Sequence, residues 1–176
     1  MEISAAFHES LGLLEVVLRN ALHDQLTVWH GQTGRRDHWY DDPVGILEAH
    51  RRHDIAATRV RLQREGKAVA PGRIIAELSF GFWRYLLTRR YEATLWTPAL
   101  RHAFPGLRPT RRASVYAPTN DLVRLRNRIA HHEPIHNRPL ATLQDDIFLV
   151  AGYIDPAVEA WIRGLSRVGN LLEQRP

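Results

Sequence analysis

Cysteine is absent from the 176-residue chain. Disulfides and thiolate-held metal ions are thereby excluded, and the composition fits a reducing compartment. Lysine is almost absent too: of 24 basic residues only Lys67 is a lysine, and the rest are arginine. No apolar run approaches the roughly 20 residues a membrane-spanning helix requires. The opening stretch MEISAAFHESLGLLEVV has no basic segment ahead of its apolar run and carries acids within it, so no signal peptide is expected. These absences point to a cytoplasmic protein with no membrane partner. Sustained apolar–polar alternation is also missing, which leaves no convincing β-strand. No linker, low-complexity segment or repeat array interrupts the chain.

What is present suits a globular helical domain. The length favours one domain over 1–176, able to bury about 70% of its unfolded surface, with a flexible tail over about the last ten residues. Hydrophobic residues make up 44% and the formal charge is +5, a balance that suits a polyanionic partner. The arginine preference fits bidentate phosphate binding and fits genome composition equally well.

Helical spacing recurs nearly throughout. Ser4 is placed to cap a first helix whose apolar face is Leu11, Leu14, Val17, Leu18, Ala21, Leu22 and Leu26. Asp42–Pro43 reads as the start of a second helix running to about Glu65. RIIAELSFGFWRYLLTRRY reads as a third, with Gly81 admitting a close neighbour. A short helix opens at Thr97–Pro98, and a basic connector leads to a helix over 119–133. LATLQDDIFLVAGYI and DPAVEAWIRGL complete the set. The fold class is all-α, a helical bundle.

The chemistry concentrates in LRNRIAHHEP, residues 125–134. An overlapping string, HEPIH, matches the zinc-protease pattern H-E-x-x-H. That pattern needs a continuous helix to put both histidines on one face. Pro134 breaks such a helix, so His132 and His136 do not form that site and no metal or other cofactor is expected. Within the helix, Leu122, Leu125 and Ile129 form an apolar stripe. Asn127 and His131 share a face, whereas Arg126 and His131 diverge by roughly 140° on an ideal helix. Either the helix end unwinds, or a second copy of the chain completes the site. The bland reading is a solvated helix end, with histidines near the carbonyl pole. Asn127 argues mildly against it, being a poor helix former in mid-helix.

LRNRIAHHEPI closely resembles the signature of the Abi-like (abortive infection) proteins of bacteria, a branch of the HEPN superfamily of helical domains. That signature is an arginine, often followed by a polar residue, and then a histidine after four to six intervening residues. Arg126, Asn127 and His131 fill those places, and His132 fits as well. LLEVVLRNALH, ELSFGFWRYLLTRRYEATLW and LRHAFPG resemble the same family, in order, over most of the chain. The resemblance implies a HEPN-like bundle with additional helices, dimerisation that brings two motifs face to face, and metal-independent endoribonuclease activity. In many relatives that activity serves phage defence or acts as a toxin, which implies an antitoxin or a phage trigger. Glu133 stands where superfamily toxins silenced by a nucleotidyltransferase carry the tyrosine that is modified, so that acceptor is lacking. The chain also starts close to its first helix, as a short member would.

RNA brings its own nucleophile, the 2′-hydroxyl. Cleavage then needs a base, an acid and positive charge at the phosphate. Histidine is the side chain whose unperturbed pKa lies near neutrality, so His131 is the expected acid/base and His132 its alternate. Spacing does not separate the two. Arg126 is expected to stabilise the developing phosphorane charge, and Asn127 to position the phosphate or orient the histidine. Arg128 is a further substrate-binding candidate. In the first helix LRNALH repeats the theme with Arg19, Asn20 and His23, and Glu15 is spaced to pair with Arg19. Their expected role is to support and orient the motif. Phe80, Phe82, Trp83, Tyr85, Tyr91 and Trp96 read as core or dimer packing before base stacking. The rival reading from another class is a non-catalytic dimeric module that binds RNA or a protein.

Overall fold

The computed structural model describes residues 2–174, and within them the regular structure is entirely helical. The elements are α1 (Glu2–Gly31), α2 (Ala49–Arg64), α3 (Pro71–Glu77), α4 (Phe80–Leu86), α5 (Arg112–Ala130), α6 (Leu140–Ile154), α7 (Pro156–Leu165) and α8 (Val168–Glu173). Short 3-10 turns lie at Trp39–Asp41, Arg89–Tyr91 and Leu100–Ala103, and a π-helical turn at Glu92–Trp96. No helix among the described residues is long and apolar enough to cross a membrane.

The chain divides into two compact units, one of Met1–Leu18 with Phe104–Pro176 and one of Arg19–Ala103. They share α1. In the first unit α6 packs against α5, α7 and α8. Its core includes Ala6, Phe7, Leu11 and Leu14 of α1, Val115, Leu122 and Leu125 of α5, and Ile147, Val150 and Ala151 of α6. The chain reversal at Gly106 lies directly on α6, with its N–H bonded to the Tyr153 carbonyl at 3.0 Å. A Cβ at Gly106 would stand 2.7 Å from the Gly152 carbonyl oxygen, so a side chain is excluded by backbone. Asp155 caps α7 by accepting the Ala157 N–H at 2.7 Å, with Pro156 at the first helical position, as its Asp–Pro pair suggests. The segment expected as a tail contains α8, and Val168 is fully buried. Arg175 and Pro176 lie outside the described residues.

The second unit is built around aromatics. Phe80, Phe82, Trp83, Tyr91 and Trp96 are buried and Tyr85 is half-buried. The Arg51 guanidinium lies 4.7 Å from the Tyr85 ring centroid, and Tyr85 donates to Glu48 at 2.6 Å. Packing, as read, is what these rings do.

Several element boundaries differ from expectation, each for a local reason. α1 begins at Glu2, so Ser4 lies inside it and caps nothing. Asp42 does not start α2. It sits in the left-handed region at φ 50°, and its carboxylate accepts the N–H groups of Ile46 and Leu47 at 2.7 and 3.0 Å. Asp42 thus organises a loop, a use of aspartate that competes with helix capping, and α2 begins only at Ala49. The expected third helix is broken at Leu78–Ser79, because Ser79 caps α4 by accepting the Phe82 N–H at 3.2 Å. A Cβ at Gly81 would meet only Ser79 Oγ, at 3.6 Å, so no close helix approach depends on that glycine. α5 starts at Arg112 and runs through Pro118. The single backbone bond that proline removes is outweighed by the buried Val115, Thr119 and Leu122 around it.

Candidate functional site

The candidate site is the end of α5. Leu122, Val123 and Leu125 anchor the helix in the core of the first unit, which holds the following turn in register. The helix stops at Ala130, with His131 as its C-cap at φ −94° and ψ 12°. His132 then takes the left-handed conformation at φ 57°. The Glu133 N–H bonds to the Arg128 carbonyl at 2.8 Å, and the His132 N–H to the Ile129 carbonyl at 3.0 Å. That pair of bonds is the Schellman termination, in which glycine normally fills the left-handed position. Here a histidine fills it, at a conformational cost of about 1 kcal/mol. The H-E-x-x-H string therefore lies beyond the helix, where its histidines cannot share a helical face. Among the described residues no group of three His, Cys, Asp or Glu is placed to hold a metal ion.

The motif side chains divide by exposure. Asn127, His131 and His132 are exposed, and Arg126 and Arg128 are half-buried. Both arginines have internal partners. Arg126 Nε lies 3.8 Å from Glu15 Oε2 of α1, its side chain about one-third exposed at 35%. The contact is long for a hydrogen bond. Arg128 is tied more firmly. Its Nη2 donates to the Pro134 carbonyl at 2.9 Å and its Nη1 lies 3.2 Å from Glu133 Oε2. This arginine pins the turn after α5 and is a structural clamp first. Arg126 and His131 remain five positions apart on nearly regular helix, so their directions still diverge. His132, turned by its left-handed backbone, leaves the helical path.

That turn gives His132 a place among residues the sequence does not connect with it. A groove of about 510 Å³ is lined by Ser4, Ala5 and His8 of α1 and by Ile129, Ala130, His132 and Glu133. Ile129, expected wholly inside the apolar stripe, is half-buried because it forms this wall. Ser4 and His8 are the residues that sequence reasoning missed. Their only signal is an i,i+4 spacing on the rim of α1, with nothing to link them to a segment more than a hundred residues later.

The second Arg–Asn–His cluster belongs to the other unit and is engaged there. Arg19 donates to the Ala76 carbonyl and to Asn20 Oδ1, both at 3.3 Å. The Trp39 indole N–H donates to His23 Nδ1 at 3.0 Å. Burial pushes the His23 imidazole below its ordinary value; Asp24 opposes this, while His38 and Arg19 reinforce it. A neutral imidazole with a filled Nδ1 holds an indole and is poorly placed for proton transfer. Glu15 of α1 comes within 3.8 Å of Arg126.

The fold and site together define an all-helical chain with an exposed Asn–His–His cluster at a helix terminus, backed by a half-buried arginine. Compared with family models, curated proteins and solved structures, the chain matches none.

Proposed function

We propose that the chain is a metal-independent endoribonuclease of the abortive-infection or toxin type, a member of the HEPN superfamily acting as a homodimer. The observation that carries this reading is the end of α5, where Asn127, His131 and His132 are exposed beside Arg126. In the proposed reaction a histidine removes the 2′-hydroxyl proton and the 2′-oxygen attacks phosphorus. The P–O5′ bond breaks, and a second histidine protonates the leaving oxygen. The products are a 2′,3′-cyclic phosphate and a 5′-hydroxyl. Arg126 faces the developing phosphorane charge. Two motifs facing each other across a two-fold axis would compensate for the divergence of Arg126 and His131 on one helix. The net charge of +5 favours a polyanionic substrate. An antitoxin or phage trigger belongs to the same proposal.

A second reading has an observation of its own. Both motif arginines have internal partners, Glu15 for Arg126 and Glu133 with the Pro134 carbonyl for Arg128. Arginines so engaged suit a non-catalytic module that binds RNA or a protein. Mixed cellular RNA incubated with purified protein and EDTA separates the two. The ribonuclease reading expects fragments ending in 2′,3′-cyclic phosphate, while RNA that is bound and left intact would favour the module.

A further inference from the structure

A ribonuclease of this kind needs two proton-transfer groups at one phosphate, and within one subunit the motif on α5 offers candidates from one side only. The groove beside it supplies the other side. His8 projects from α1 into the same groove of about 510 Å³ that His132 lines from the end of α5. Both histidines are exposed, and neither imidazole is hydrogen-bonded to another side chain among the described residues. Ala5, Ile129 and Ala130 give the lining its apolar part, and Ser4 and Glu133 its other polar groups. The volume admits a nucleoside, whose base can lie against the apolar lining residues while its phosphate stays near the imidazoles. The strained left-handed backbone of His132 is what directs this residue off the helical path. Such strain is kept where surrounding structure enforces it and is concentrated at working sites.

We infer that His8 is the second catalytic residue, forming with His132 an acid–base pair across the groove within one subunit. The inference rests on the ribonuclease reading and deepens it. It selects His132 over His131 for chemistry and makes proton transfer complete without a second chain. In this pair His132 protonates the leaving 5′-oxygen. His8 is then the base that takes the 2′-hydroxyl proton. The 2′-oxygen forms its bond to phosphorus as the P–O5′ bond breaks, and the two protons balance.

The test is single-turnover cleavage of a short oligoribonucleotide across pH by the wild type, His8→Ala, His8→Gln and His132→Ala, each checked for folding by circular dichroism. His8→Ala and His8→Gln are expected to lose about 10²-fold or more in rate and the low-pH limb of the profile. His132→Ala is expected to lose the high-pH limb. A substrate whose leaving 5′-oxygen is replaced by sulfur needs no acid, so it should restore cleavage by His132→Ala and leave the His8 variants slow. Wild-type rate and both limbs in folded His8→Ala, with His132→Ala inactive, would overturn the pair while sparing the ribonuclease reading. No cleavage by the wild-type chain would overturn both.

Discussion

His132 carries two demands that oppose each other. Its left-handed backbone closes α5 in a position where glycine is unstrained, yet its side chain lines the groove. His132→Gly is therefore expected to raise stability by about 1 kcal/mol in denaturant titration while abolishing cleavage. A less stable variant would show that the imidazole holds the turn together. His23 makes the opposite case, a histidine whose value lies in staying neutral. Its folded-state pKa is depressed by burial, so the unfolded chain binds the proton more readily. The stabilisation is complete above the unfolded value of about 6.5 and is lost as pH falls below it. Melting temperature should fall between about pH 7 and pH 5 more steeply in the wild type than in His23→Gln, which has nothing to titrate there. Parallel curves would contradict that assignment. At this scale the sequence makes the candidates Arg126, Asn127 and His131 legible as a motif, because their spacing is local. His8 is illegible, because it shares a groove with His132 only once α1 lies beside the end of α5.

Elements were readable where local chemistry is unopposed. α6 and α7 fall where their apolar spacing and the Asp155–Pro156 pair put them. Asp42–Pro43 shows how the same signal misleads, since the carboxylate bonds forward to Ile46 and Leu47 in a loop. Ser79 shows a cap hidden inside an apolar run, where it divides one expected helix into α3 and α4. Pro118 shows tertiary burial overriding a breaker. Close backbone approach is the feature periodicity never reveals, and Gly106 is the clearest instance. A methyl group there would meet the Gly152 carbonyl oxygen at 2.7 Å and Tyr153 Cα at 3.3 Å, neither able to yield as a side-chain tip could. Gly106→Ala is expected to cost about 1–3 kcal/mol in urea unfolding, by forcing the loop off α6. An unchanged midpoint would mean that the loop is not seated there.

For the whole molecule, composition set the right limits: a helical chain without thiol chemistry, its charge supplied by arginine. It did not reveal the division into two units sharing α1, because a continuous helix carries no linker signature. That division bears on function, since LRNALH and LRNRIAHH look like two copies of one theme and do different work. The first is bound into its own unit through Ala76 and Trp39, and the second ends in open histidines. Both arginines of the second have internal partners, so the central claim concerns chemistry at the histidines more than affinity at the arginines. The most direct test is to measure cleavage and binding of one RNA, in EDTA, by the wild type, Arg126→Ala and the double variant His131→Ala/His132→Ala. The account predicts that the double variant binds RNA within a few-fold of the wild type and cleaves it at least about 10²-fold more slowly, with Arg126→Ala similarly slowed. Cleavage at the wild-type rate by the double variant would contradict it, because no proton-transfer chemistry would then belong to the end of α5.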